Sequence, residues 1–472
     1  MSLHLYDTSS RSLRPFTPIK PGEVSMYLCG ATVQSNPHVG HLRSGLVFDV
    51  LTRWLMKQNY KVTLCRNVTD IDDKILHKAI HEERPWWAVA QHYERAFQEA
   101  YSLLGCIPPT IEPRATGHVT QMVALMEELI KRGHAYASNG DVYFDVRSFE
   151  QYGALSNQKP DDMLAATDSE HAASKKDVRD FALWKSSKPG DPSWPTPWGN
   201  GRPGWHLECS AMAAMYLGDN FDIHGGGLDL VFPHHENEIA QSKAAGQKFA
   251  NYWLHNAWVT TAGEKMSKSL GNSLIVFDVL QRIRAIELRW YLVGAHYRSN
   301  LEFSDEALQE SGAAFRRIEG FVKRASELVD EQAIADVVID PAFSAAMNDD
   351  LGVPAALAVV HEFVTQGNIE LQKGAKTDLQ VLSKTLIQVR AMLDVLGVDP
   401  LTPNWNNKSE DSKDYKEIID ALVANQLQMR QQAREHKDFA KADEIRDSLA
   451  AAGIAIDDTP NGARWSVMES DN

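Results

Sequence analysis

The sequence predicts an α/β fold: a Rossmann-like nucleotide-binding domain with an insertion, then a helical bundle, then a small mixed α/β domain. Three observations predict it. The run Glu23–Leu28 (EVSMYL) alternates polar and apolar residues like a short strand, and Leu46, Val50, Leu51, Trp54 and Leu55 recur at helical spacing after Leu42. From Lys61, KVTLCRNVTDIDDKI repeats the strand and runs into a loop rich in carboxylates. From about Asp305 to Val398 the apolar spacing is helical throughout.

Length and composition set the frame. A chain of 472 residues is too long for one core and should divide into two to four domains. The boundaries read as 1–304 for the nucleotide-binding domain, with an insertion over about 115–200 and a loop region over about 250–304, then 305–401 for the bundle. A polar, turn-rich linker follows at 402–414, and 415–472 forms the last domain. The opening MSLHLYDTSSRSLRPF lacks the apolar core of a secretion signal, and no apolar run has the length of a bilayer span. A cytoplasmic protein is expected, with no membrane partner. The four cysteines, Cys29, Cys65, Cys106 and Cys209, include no C-x-x-C pair, which favours free thiols or metal ligation over a disulfide framework. A formal charge of −15 repels nucleic acid at long range, so an RNA partner would have to be met by local basic patches.

Taken in order, the first chemistry lies between the first strand and its helix, in CGATVQSNPHVGHLR. This is where an α/β fold binds ligands, at the carboxyl end of a strand and the amino end of the next helix. Gly40 lets a flat base approach the backbone, and His38 and His41 can donate to phosphate oxygens. Asp70, Asp72 and Asp73 in the second loop read either as a solvated turn with a helix cap or as the rim of the same pocket. A helix over about 117–137 and a strand at Asp141 to Asp145 follow. Ser187 to His206, crowded with Pro, Gly and Trp, reads as an ordered loop.

Chemistry returns with WHLECSAMA and FDIHGGGLDLVFPHHENEIAQ. A helix beginning near Pro233 would put His234 and Glu238 on one face. With Cys29 and Cys209 they make two thiolates, an imidazole and a carboxylate, a set that suits zinc, with His235 and Glu236 as rival ligands. In GEKMSKSLGN, Lys265 and Lys268 sit between flanking glycines, either as a cationic loop able to close on a polyphosphate or as a solvated surface loop. The last domain reads as a helix from about Tyr415 to Glu435, a second opened by Asp438 as N-cap, and a short β segment. There Arg430, Arg434, Lys437 and Lys441 would share a face only if one helix ran through them.

These residues resemble one family, the class I cysteinyl-tRNA synthetases. His38-Val39-Gly40-His41 resembles the class's H-I-G-H signature with Val for Ile, and Lys265 to Ser269 matches K-M-S-K-S, the two lying roughly 225 residues apart. MYLCG, NVTDIDDKI, PGWHLECSAM and FDIHGGGLDLVFPHHENEIAQS resemble the family's further blocks, and the likeness covers nearly the whole chain. Only the stretch from Asp161 to Val178 has no clear counterpart.

The resemblance implies one zinc per chain on Cys29, Cys209, His234 and Glu238, and a cysteine pocket lined by Thr69, Trp205, His224 and Asp229, the last facing the ammonium. It implies that His38, Gly40, His41 and Lys268 hold ATP with its Mg²⁺, and that His38, His41, Lys265 and Lys268 carry catalysis. The implied partners are L-cysteine, ATP and tRNA(Cys), acting on a monomer. Two other readings share the pattern. One is a cysteine ligase acting on an aminoglycoside, as in mycothiol synthesis; the other is an inactive paralogue that binds tRNA or cysteine.

Overall fold

The computed structural model describes residues 2–159, 174–261, 264–265, 274–329, 333–405, 408–459 and 462–467. Its centre is a four-stranded parallel sheet. Strand β1 (Glu23–Leu28), helix α1 (Val39–Lys57) and strand β2 (Lys61–Arg66) form the first crossover, and β1 pairs with β2 in register from Glu23 opposite Lys61 to Leu28 opposite Arg66. Much later come α2 (Trp205–Leu217), β3 (Asn220–Gly227), α3 (Glu236–Ala244) and β4 (Phe249–Asn256). The sheet order is β4-β3-β1-β2, so the chain leaves β1 towards one side and returns on the other. The crevice of such a sheet opens at this switch point, at the carboxyl ends of β1 and β3.

Helix α1 lies on the sheet through Leu42, Leu46, Leu51 and Leu55, all fully buried, each contributing roughly 1.5–3 kcal/mol by burial. Contact with β3 is close: a Cβ on Gly225 would fall 1.9 Å from the Phe48 ring. The first turn of α1 is fastened by Arg43, fully buried, whose guanidinium donates to the carbonyls of Ala257 (3.1 Å), Trp258 (2.7 Å), His296 (3.2 Å) and Ser299 (2.6 Å).

The insertion is a four-stranded antiparallel sheet of Ala135–Ser138, Asp141–Phe144, Phe181–Ser186 and Gly201–Pro203 in sequence order. The helix expected to reach residue 137 ends at Lys131, because Gly133 turns at φ +82° and the chain from Ala135 pairs with Asp141–Phe144. Residues 160–173, most of the stretch without a counterpart, lie outside the described residues. The carboxylates of the second loop are neither simply solvated nor a free rim. Asp72 caps a helix through Lys74 N–H (2.8 Å), Asp70 accepts from Thr116 N–H (2.9 Å) and its hydroxyl, and Asp73 pairs with Lys185 (2.8 Å) and Arg202 of the insertion.

Helices Asp305–Ser326, Pro341–Asn348, Val353–Leu371 and Leu379–Val395 follow. Arg289, fully buried, donates to the carbonyls of Leu104 (3.0 Å) and Leu396 (2.8 Å) and to Asp49 of α1, fastening these helices to the sheet. Met1–Pro400 is accordingly one compact unit and Leu401–Asn472 a second. The second unit holds helices Lys408–Glu435 and Phe439–Ala451 and a hairpin of Ile454–Thr459 with Gly462–Val467, around Val423, Ile445, Leu449 and Trp465. Its first helix starts well inside the expected linker. The Glu, Asp, Lys and Ser residues there tolerate helical geometry, so a helix nucleated on the Ile419–Val423 stretch propagates backwards through them. Lys437, at φ +59°, separates the two helices, so the four basic residues do not form one stripe. Among the described residues, no helix is long and apolar enough to cross a membrane.

Candidate active site

Four potential ligands meet at the switch point. Cys29 directly follows β1, and its N–H donates to Gly225 of β3 (3.1 Å). Cys209 comes from α2, His234 from the turn Val231–His235, and Glu238 from the first turn of α3. The helix expected to begin near Pro233 does so: Phe232 is the one residue of Val231–His235 with non-helical φ/ψ, and from Pro233 the chain runs through a wide helical turn into α3. His234 therefore sits one turn before Glu238 on the same face. Its Nε2 meets Glu238 Oε1 at 3.0 Å. Cys29 Sγ lies 3.8 Å from Cys209 Sγ and 3.4 Å from Glu238 Oε1. The four ligand atoms lie within 4.8 Å of one another, all buried except the half-buried Cys29, and could hold a metal ion.

The electrostatics of the cluster favour a cation. Burial opposes ionisation of Cys209, but a hydrogen bond from the Cys29 thiol and the nearby His234 outweigh it and hold Cys209 at about 6. The same burial, with Cys209 beside it, pushes the Cys29 thiol well above its usual value. For His234, burial is overcome by Glu238, and the imidazole is raised to about 10. Glu238, although buried, is held well below the usual carboxylate range by His224 and His234. The cluster thus carries thiolate and carboxylate charge answered by a proton on His234, a proton that a divalent cation would displace. The other two thiols differ. Burial lifts both Cys65 and Cys106 to about 12, which marks them as unreactive.

One of the two rivals is drawn off by contacts far away in sequence. Glu236 is taken up by the insertion, accepting from Gly153 N–H (2.9 Å), Ser156 N–H (2.8 Å) and the Ser156 hydroxyl (2.8 Å). His235 remains a rival: Cys29, His224, His235 and Glu238 form a second overlapping set, and with its Nδ1 on His255 Nε2 (2.7 Å) its buried Nε2 has no partner among the described residues. Of the expected cysteine-pocket residues, His224 gives Nε2 to Glu238 Oε2 (2.8 Å) and stacks on Trp253 (4.4 Å). Trp205 stacks on His234 (4.2 Å), and Thr69 is buried with its hydroxyl on Glu208 (2.9 Å). Asp229 is exposed, just past β3. Sequence reasoning did not single out His206, whose Nδ1 lies 3.0 Å from His234 Nδ1, nor Asn67 and Glu208. Glu208 had one signal: an acidic residue adjoining Cys209 in an otherwise apolar helix.

At the other side of the β1 loop, His38 is the N-cap of α1, Gly40 lies in its first turn, and the rings of His38 and His41 stack at 3.6 Å. The chain beyond the lysine motif returns to this turn. Val39 N–H donates to Leu274 O (3.0 Å) and Val276 N–H to Pro37 O (3.0 Å). At the start of the motif, Glu264–Lys265 pairs with Thr260–Thr261. Lys268 lies outside the described residues.

Known proteins resemble this chain in sequence and in fold. Residues 15–313 match the family of tRNA synthetases class I (C) catalytic domain, 342–400 a DALR domain, and 417–465 a cysteinyl-tRNA ligase anticodon binding domain. The cysteine--tRNA ligase of Streptomyces avermitilis is 57% identical over 467 residues, covering 99% of each chain; that of Streptomyces coelicolor is 55% identical over 99% of this chain and 76% of its own. Among solved structures, methionyl-tRNA synthetase of Mycobacterium tuberculosis in complex with methionyl-adenylate shares the fold at TM-score 0.58 and 15% identity, covering 80% of this chain and 90% of that one. The LeuRS of Agrobacterium radiobacter K84, in a ternary complex with tRNA and LeuAMS, does so at 0.59 and 11%, over 83% and 86%.

Proposed function

The chain belongs to the cysteine--tRNA ligase family of class I synthetases, and from that premise we propose how its site performs the reaction. The protein activates L-cysteine with ATP and passes the acyl group to tRNA(Cys). The observation that carries this reading is the convergence of Cys29, Cys209, His234 and Glu238 at the sheet's switch point, beside the signature turn.

Zinc fits the donor set. Two thiolates, an imidazole and a carboxylate are its preferred ligands, and sulfurs bound at about 2.3 Å in a tetrahedron lie about 3.8 Å apart; the Cys29–Cys209 separation is 3.8 Å. Bound there, zinc supplies a soft Lewis acid that selects a thiol. Around it, Trp205 packs on His234, Glu238 is oriented by His224, and Thr69 and Asp229 line the cysteine site.

His38, Gly40, His41 and Lys268 hold ATP, which enters with Mg²⁺. The cysteine carboxylate attacks the α-phosphorus in line and pyrophosphate leaves. The terminal adenosine of tRNA then takes the acyl group and AMP leaves, with no covalent enzyme intermediate. His38, His41, Lys265 and Lys268 answer the charge that spreads over phosphate oxygens in the first step. The terminal unit supports tRNA as the acceptor in place of a small amine, since 417–465 matches an anticodon binding domain.

The test is cysteine-dependent ATP–pyrophosphate exchange followed by charging of total tRNA. Exchange with cysteine together with acylation of tRNA is expected. Exchange without acylation would move the reading to a small-amine ligase, and neither would make the chain a binding paralogue.

A further inference from the structure

The two cysteines of the cluster are joined by more than the cluster. Asn67 Oδ1 accepts from the N–H of Gly30, the residue after Cys29 (2.8 Å), which leaves its Nδ2 to donate to Thr69 Oγ1 (3.2 Å). Having accepted there, the hydroxyl sends its single proton to Oε2 of Glu208, the residue before Cys209 (2.9 Å). The relay is directional at every step and runs from a backbone N–H to a carboxyl. Asn67, Thr69 and Glu208 are at most 2% exposed. Close approach is built in, because a Cβ on Gly30 would lie 1.7 Å from the Asn67 carbonyl oxygen.

Stability does not explain Glu208. Its Oε1 has no partner among the described residues, and a buried carboxyl with so few hydrogen bonds costs more than an apolar side chain of its size. Resting on the reading that cysteine binds at this cluster, we infer that Asn67 and Glu208 are positioning residues. They lock the Thr69 hydroxyl in one rotamer and hold the Cys29 and Cys209 segments in fixed register, so that the amino acid meets a preorganised site.

Steady-state pyrophosphate exchange on the full chain tests this, with KM for cysteine, KM for ATP and kcat measured separately. Asn67→Ala and Glu208→Leu should raise the cysteine KM about tenfold to hundredfold, the range for losing a hydrogen bond to a buried or charged partner, with kcat and the ATP KM nearly unchanged. Glu208→Gln, whose amide oxygen can accept the same hydrogen bond, should stay within about threefold of wild type. An unaltered cysteine KM in Asn67→Ala, a Gln variant as impaired as the Leu variant, or a joint impairment of all three parameters would overturn the relay. If Glu208→Leu fails to fold, as melting would reveal, the other two variants decide. Wild-type exchange that does not depend on cysteine would overturn the functional reading as well, which separates that failure from failure of the relay.

Discussion

At the end of the parallel sheet, Glu208, His224, His234, His235, Glu236 and Glu238 are each at most 1% exposed, while in the terminal unit Lys441, Glu444 and Arg446 pair in the open, their side chains about half exposed or more. The first arrangement costs folding energy unless every charge is answered, so it persists where the groups act together. The second costs almost nothing and contributes almost nothing by pair, acting only as a field. Single substitutions of the metal-ligand set should therefore abolish function at the sheet end, whereas those in the terminal unit should only grade it.

The largest effect should come from Cys209→Ser, which removes the cluster's thiolate. Bound metal, measured on protein purified without chelator, and cysteine activation should disappear together; an active, metal-replete variant would break the contrast. Glu238→Gln should follow it, and retention of both properties there would move the fourth ligand elsewhere. Next, Lys268→Ala should slow adenylate formation by about two to three decades, roughly 3–4 kcal/mol of transition-state stabilisation, with cysteine binding little changed. Pre-steady-state kinetics would contradict this if turnover held and only the cysteine KM rose. In the terminal unit, truncation at Asn406 should leave exchange intact and raise the KM for tRNA about tenfold, some 1.4 kcal/mol. Equal loss of both activities would show the unit to be structural. The smallest effect should be that of Asp438→Ala, which removes the cap on Lys441 N–H (3.1 Å) and should cost the terminal unit about 1 kcal/mol without touching exchange.

How far each part could be read from sequence follows the range of the interactions that decide it. The i,i+4 spacing of His234 and Glu238 was legible because it is local, and the Rossmann-like strands were legible from their period. Choosing Glu238 over Glu236 was not, because the choice is made by Gly153 and Ser156, about eighty residues away. The same holds for Asp73, whose partners Lys185 and Arg202 sit on another sheet. Asn67 looks unremarkable in sequence and Glu208 nearly so, since the contacts between them form only once β1, β2 and α2 converge. Misplaced boundaries have local causes: Gly133 ends a helix early, and helical propagation extends the last unit's first helix into a polar stretch.

On the proposed function, the thiol-selecting cluster, rather than pocket shape, makes the site specific for cysteine. A thiol with pKa near 8.5 is a soft ligand readily deprotonated by a metal, whereas a serine hydroxyl is a far weaker acid and a harder ligand. The direct measurement is pyrophosphate exchange with serine against cysteine on the metal-loaded protein. Discrimination on the order of 10⁴ to 10⁵, equivalent to roughly 5.5–7 kcal/mol, is expected; serine activation within about a hundredfold of cysteine would contradict selection by the cluster.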